Sequence, residues 1–157
     1  MKIIAAAQTD MGAKRTNNED SYYAEGNLFL VADGVGGHSS GEVASKMSAD
    51  IVGSCLKRKE PYLKGYDESY SMASNRLASA IRLANKAVHE AAKSASHKGM
   101  ASTVAAVYVS DDMLSIAHVG DSRAYLIRAA SIIQLTDDHS VVSEQVRDGL
   151  LTKEQAK

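Results

Sequence analysis

The chain is poor in the residues that mark several protein classes. Of its 157 residues, one is cysteine, one is proline, one is phenylalanine and none is tryptophan. Because Cys55 has no second cysteine to pair with, an intrachain disulfide is excluded. Such low cysteine use is typical of proteins from the reducing cytoplasm, and we therefore expect a cytoplasmic protein.

Long hydrophobic runs and an excess of charge are also missing. The first apolar stretch, residues 3–7, is too short for a signal-peptide core or a membrane span. The formal net charge of -1 at pH 7 offers no basic surface for general capture of nucleic acid. What is present, 45% hydrophobic and 24% charged residues, is typical of a globular domain. We expect neither nucleic acid nor a membrane as a partner.

The most informative local pattern is an acidic residue at the end of an apolar run. Residues 28–32 are all apolar and predict a buried strand, and Asp33 and Gly34 follow it directly. Ser39 and Glu42 then form a capping box, which predicts the start of a helix. Taken alone, the Asp-Gly pair is also typical of a tight turn, so a structural role stays open at this point.

A neighbouring strand should bring further carboxylates to the same edge. Residues 21–23 favour a strand, and a turn signal at residues 25–27 joins it to the apolar run as a hairpin. Antiparallel neighbours place the start of one strand beside the end of the other. We therefore expect Glu19 and Asp20 to lie close to Asp33.

The remaining periodicity predicts strands, then two helices, then strands. In order, the predicted elements are a strand at 2–9, the hairpin, a helix from residue 39, a second helix at about 68–96, strands at 103–109, 113–119, 123–128 and 132–135, and helices at 141–147 and from 151. The consecutive strands suggest an antiparallel meander, and the order of elements indicates an α+β fold with helices packed on sheets. The last predicted helix stops in its first turn, which suggests a C-terminally truncated domain.

The acidic residues have the chemistry of a metal site. Glu19, Asp20, Asp33 and Asp121 offer only oxygen ligands, which favour Mg²⁺ or Mn²⁺. Two such ions, roughly 3.5–4 Å apart, can activate a water for attack on phosphorus. Arg15 precedes these acids, and its guanidinium matches two phosphate oxygens. The alternative for Arg15 is a structural salt bridge with one of the acids.

Five short motifs occur in the chain, at residues 15–20, 31–38, 99–103, 119–123 and 135–140. In these motifs and in their order, the chain resembles the bacterial PP2C-type (PPM) metal-dependent protein phosphatases. The resemblance implies a four-layer α-β-β-α sandwich of two antiparallel sheets flanked by helices, with residues 1–157 as one phosphatase domain. It also implies hydrolysis of phosphoserine and phosphothreonine in proteins by a water activated between Mg²⁺ or Mn²⁺ ions, and phosphoprotein substrates made by a serine/threonine kinase.

The same resemblance assigns roles to the acidic residues. Asp33 is implied to bridge two metal ions, and the carbonyl of Gly34 and the side chain of Glu19 to bind the second. Asp20 matches the acid that orients metal-bound waters. Asp121 matches a ligand of a third, weaker metal in bacterial members.

Two other residues belong to the implied site. Arg15 matches the phosphate-binding arginine of the family. His38 is a weaker match to a general acid, because two additional residues separate it from the Asp-Gly pair, and we expect it to be structural.

The family continues beyond these motifs through a second Asp-Gly and a final Asp-Asn, and neither occurs here after Asp121. The alternative function is therefore a catalytically incomplete, phosphatase-like regulatory or binding module. Strand edges left open in such a chain should favour self-association.

Overall fold

Two antiparallel sheets and three α-helices make up the computed structural model, which describes residues 2–37, 40–58, 65–152 and 154–156. The elements in chain order are β1 (Asp20–Glu25), β2 (Leu28–Val35), α1 (Ser40–Lys57), α2 (Met72–Ala91), β3 (Ala101–Ser102), β4 (Val104–Ser110), β5 (Met113–Val119), β6 (Tyr125–Arg128), β7 (Ser131–Gln134) and α3 (Val141–Arg147). The predicted α+β class with two antiparallel sheets is confirmed.

The β1–β2 hairpin forms as predicted, and β2 lies at the centre of the larger sheet. The sheet order is β1-β2-β4-β5, and β3 pairs with the end of β2. Along β2, Leu28, Leu30 and Ala32 are buried, whereas Val31 and Asp33 are exposed. This alternation follows from the two-residue period of a strand that is covered on one face only.

Helices α1 and α2 cover the buried face of this sheet and pack against each other. Their small and branched side chains join those of β2 and β4 in one core cluster, whose buried members are Leu28, Leu30, Ala32, Ala49, Val52, Cys55, Leu77, Ala80, Ile81, Ala84, Val104 and Ala106. Burial raises the pKa of the Cys55 thiol, as expected for a packed residue. Within the described residues, no helix is both long and apolar enough to cross a bilayer.

The opposite face of the larger sheet is open. Tyr22, Val31 and Val35 expose their side chains there. Strands β6 and β7 form a separate ribbon in which most apolar residues are also exposed, with Ile127 at 74%. A two-stranded ribbon has little independent stability in water, so this region of the fold depends on further packing.

Three predicted elements differ from the structure. Residues 2–10 form no regular secondary structure, and Ile4 is 86% exposed, so the strand predicted at 2–9 is wrong. A strand needs a hydrogen-bonding neighbour, and β1 pairs only with β2 among the described strands. The helix predicted from 151 is not seen in the described residues 151, 152 and 154–156, which form a bend and a turn. The second helix is shorter than predicted, since the Ser71 hydroxyl caps its start by accepting from the Ser74 N–H.

The four later strands do not form the predicted meander. Strand β5 pairs with β4, whereas β6 pairs with β7 in the second sheet. Between them, Gly120 has φ +93°, a conformation that suits glycine and ends β5. The local pattern predicted the strands correctly, but the change of sheet depends on this turn.

The β6–β7 turn provides a test of backbone strain. Ala129 has φ +51°, a left-handed conformation that is unfavourable for a residue with a Cβ. We expect Ala129→Gly to raise the free energy of unfolding by about 0.5–1 kcal/mol, measured by urea denaturation, because relief of this strain exceeds the added entropy of the unfolded chain. Ala130→Gly is the matched control, since Ala130 has no positive φ. Equal effects of the two glycines would contradict the assignment of strain to Ala129.

Candidate active site

The β1–β2 hairpin places two carboxylates side by side. Asp20 begins β1 and Asp33 lies near the end of β2, and the strand register pairs them directly. The side chain of Asn18 holds the start of β1 by accepting a 3.0 Å hydrogen bond from the Asp20 N–H. The expected proximity of Asp20 and Asp33 therefore follows from a short hairpin with defined pairing.

The pKa of Asp33 is raised above its ordinary value. Partial burial of the carboxyl is the largest cause, followed by the negative charge of Asp20 and a hydrogen bond between the two carboxyls. The charge of Asp121 raises the pKa further, and that of Arg15 lowers it. Asp20, Asp121 and Arg15 thus lie close enough to Asp33 to change its pKa, and the balance of charge there is negative.

Glu19 occupies a different position, against the first turn of α1. The Gly34 N–H donates to the Glu19 carbonyl at 3.1 Å. A Cβ at Gly41 would lie 2.8–3.0 Å from the Glu19 carboxyl group, so the absence of a side chain at Gly41 makes room for it. The Glu19 carboxylate is therefore directed towards the N-terminus of α1, where negative charge is favourable.

Arg15 lies next to Glu19. Its Nη1 is 3.8 Å from Glu19 Oε2, and its side chain is 68% exposed. Such a long, exposed ion pair contributes little stability. The salt-bridge alternative is therefore present in the structure, but it is too weak to prevent the guanidinium from binding an anion.

The Asp121 turn is attached to β2 through Thr103, a residue outside the predicted set of site residues. The Asp33 N–H donates to Thr103 Oγ1 at 3.0 Å, and the Thr103 N–H donates to the Asp33 carbonyl at 2.8 Å. Thr103 Oγ1 also lies 2.6 Å from Ser122 Oγ. The only signal for Thr103 was its place in the 99–103 motif, because its two partners are distant in sequence.

A second side-chain contact, between Arg123 and Asp138, holds the segment that follows Asp121. Arg123 donates from Nε and Nη2 to the two carboxylate oxygens of Asp138, at 2.8 and 2.7 Å. This two-point contact lowers the pKa of Asp138. The motifs at 119–123 and 135–140 thus meet in a structural contact.

The carboxylates around Asp33 have the right chemistry to bind a divalent metal, but they are not yet arranged as a metal site. In the parts of the chain that the structure describes, no three or more His, Cys, Asp or Glu side chains are grouped closely enough to hold a metal ion. The donors near Asp33 are nevertheless all oxygens, and their mutual repulsion is what a bound cation relieves. The donor set fits Mg²⁺ or Mn²⁺. His38, which we expected to be structural, lies outside the described residues.

A pocket opens beside the paired carboxylates on the open face of the sheet. Its lining includes Thr9, Asp10, Asp20, Asp33 and Ser122. The segment around residue 9, predicted as a strand, therefore forms one wall of this pocket. The site is accessible to a ligand from this side.

Comparison with known proteins agrees with the motif order. The family model described as "Protein phosphatase 2C" matches residues 9–148. Protein phosphatase PhpP from Streptococcus pneumoniae strain D39 is 33% identical over 154 residues, which cover 95% of this chain and 60% of PhpP. Serine/threonine protein phosphatase PstP from Mycobacterium tuberculosis is 36% identical over 152 residues, covering 96% of this chain and 28% of PstP.

Solved structures show the same relationship. The catalytic domain of PstP in complex with 2 manganese ions has a TM-score of 0.77 and 36% identity, over 96% of this chain and 62% of that one. The serine/threonine phosphatase of S. agalactiae has a TM-score of 0.80 and 35% identity, over 94% and 61%. The chain therefore spans about three fifths of the length of these structures.

Proposed function

This chain belongs to the protein phosphatase 2C family, and we propose that it contributes to the metal-dependent hydrolysis of phosphoserine and phosphothreonine in proteins. The observation that carries the proposal is the pairing of Asp20 with Asp33, with Asp121 and Arg15 close enough to alter the pKa of Asp33. The negative charge of this cluster suits a divalent cation, and Arg15 supplies a phosphate-binding group beside it.

We propose that Asp33 and Asp20 are the first residues to bind the metal, because they already lie together. The side chain of Glu19 and the carbonyl of Gly34 would complete the second position, and Asp121 would hold a third, weaker ion. When bound, Mn²⁺ or Mg²⁺ supplies an activated water and stabilises negative charge on the phosphate. The manganese ions in the PstP catalytic domain support Mn²⁺ as the first metal to test.

Arg15 is proposed to hold the phosphate. Its guanidinium can donate to two phosphate oxygens at once, which orients the phosphorus with respect to the carboxylate edge. The exposed ion pair with Glu19 can be broken at little energetic cost, so it leaves the guanidinium available to a phosphate. Arg15 therefore positions the substrate, whereas Asp33 and Asp20 hold the metal.

The proposed substrates are phosphorylated proteins, which implies a serine/threonine kinase acting in opposition. We also propose that exposed strand edges and the open sheet face allow copies of this chain to self-associate. The relatives described above are named phosphatases, so they do not favour the alternative of a purely regulatory or binding module.

The direct test measures Mn²⁺ binding and turnover on the 157-residue chain. We expect Mn²⁺ to bind, as followed by the loss of its free electron paramagnetic resonance signal, and to activate hydrolysis of p-nitrophenyl phosphate and a phosphothreonine peptide. Excess EDTA should return the rate to that of the metal-free chain, because the metal supplies the activated water. Turnover that resists EDTA would refute the mechanism, and metal and phosphopeptide binding without turnover would support the binding-module alternative instead.

A further inference from the structure

We propose that Thr103 is a positioning residue that sets the placement of Asp33 relative to the Asp121 turn. The inference rests on the proposed function, because Asp33 and Asp121 are its proposed metal ligands. Thr103 itself need not contact metal or substrate. It acts through the backbone of β2 and through the hydroxyl of Ser122.

The first part of the argument is the location of Thr103. It lies between β3 and β4, where β2 changes its pairing partner from one strand to the other. The regular ladder is interrupted there, and Thr103 bonds both polar backbone groups of Asp33, accepting from its N–H through Oγ1 and donating its own N–H to the Asp33 carbonyl. Loss of the hydroxyl would leave the Asp33 N–H without that acceptor.

The second part is the direction of the hydrogen bonds. Because Thr103 Oγ1 accepts from the Asp33 N–H, its own proton can be donated to Ser122 Oγ, 2.6 Å away. Ser122 directly follows Asp121 in the chain. A continuous path of two hydrogen bonds therefore connects the backbone of one carboxylate residue to the neighbour of the other.

The third part is the packing of the Thr103 methyl group. Gly120 faces it so closely that a Cβ there would lie 2.6 Å from Thr103 Cγ2. Thr103 thus uses its hydroxyl to connect Asp33 with Ser122 and its methyl to pack against the turn before Asp121. Valine keeps the methyl and loses the hydroxyl, whereas serine does the opposite, so the two contributions are separable.

The experiment titrates Mn²⁺ into the 157-residue chain and three variants by electron paramagnetic resonance. We expect Thr103→Val to weaken Mn²⁺ binding roughly 10–100-fold, as is typical when support of a metal ligand is lost, and Thr103→Ser to remain within about threefold of the parent. Thr136→Val is the matched control, because the Thr136 hydroxyl likewise accepts a hydrogen bond from a backbone N–H, that of Ala124, at 3.1 Å. It should leave Mn²⁺ binding unchanged.

Unchanged binding in Thr103→Val, or an equal loss in Thr103→Ser, would overturn the role of the hydroxyl. A metal-free measurement separates this failure from failure of the proposed function. In two-dimensional amide NMR spectra, Thr103→Val should move the Asp121 and Ser122 resonances and speed hydrogen exchange at Asp33, whereas Thr136→Val should not. If the parent chain binds no Mn²⁺, the proposed function fails, and the amide spectra alone then decide whether Thr103 connects the two segments.

Discussion

Asp33→Asn is expected to weaken Mn²⁺ binding by about 100-fold or more and to remove Mn²⁺-dependent hydrolysis, because it takes one charged ligand from the centre of the site. Folding should not suffer. Partial burial and the charge of Asp20 raise the pKa of Asp33, so its carboxylate form is disfavoured in the folded chain. An amide of the same shape removes that repulsion, so the free energy of unfolding at neutral pH should stay constant or rise.

The combination of lost binding and retained stability is what distinguishes a ligand from a structural residue. Electron paramagnetic resonance gives the Mn²⁺ affinity, and urea denaturation gives the stability of the same sample. Asp137→Asn is the matched control, since it makes the same chemical change at an exposed aspartate outside the carboxylate pair. If Asp33→Asn binds Mn²⁺ as well as Asp137→Asn does, Asp33 is not a metal ligand.

Gly34→Ala should have the largest effect on folding, a loss of about 3 kcal/mol or more in the free energy of unfolding. A Cβ at Gly34 would overlap the carbonyl of Gly41 in α1 and come within 2.8 Å of the Glu19 carbonyl oxygen. All these atoms are backbone, so relief requires the helix or the hairpin to move as a unit. The close approach of β2 and α1 therefore depends on glycine at this position.

Gly37→Ala is the matched control for that prediction. Gly37 has no positive φ, and a Cβ there would meet no atom within 4 Å. We expect a change below about 0.5 kcal/mol, as for most exposed substitutions. In urea denaturation, the loss in free energy of unfolding should be several-fold larger for Gly34→Ala than for Gly37→Ala. Similar losses at both positions would show that the contact with α1 is less restrictive than the structure indicates.

The secondary-structure elements that are determined by residues close together in the sequence could be predicted. The β1–β2 hairpin has an apolar strand, a glycine-containing turn and a strand-forming partner within a short stretch of chain. Its pairing alone brings Asp20 to Asp33. The helix after β2 was likewise marked by its apolar period and confirmed as α1, although the predicted cap at Ser39 lies outside the described residues.

Predictions that needed a distant partner were less successful. The apolar residues at 2–9 have the composition of a strand, but strand formation requires an edge that accepts their hydrogen bonds. The β-branched segments after residue 100 were identified, yet their division between two sheets depends on the positive φ of Gly120. The predicted metal ligands reach one region, but Glu19 turns towards α1 because Gly41 leaves space for it.

The site around Asp20 and Asp33 separates what the sequence determines from what the tertiary structure determines. By itself, the sequence determined the β1–β2 hairpin, the family and the chemical character of the site, because strand period, turn residues and carboxylate chemistry are local properties. Only the tertiary structure decided that Thr103 connects Asp33 to the Asp121 turn, that the Glu19 carboxyl group lies against α1, and that Gly34 must lack a side chain. Each of these depends on contacts between segments whose separation in the chain hides their proximity in space.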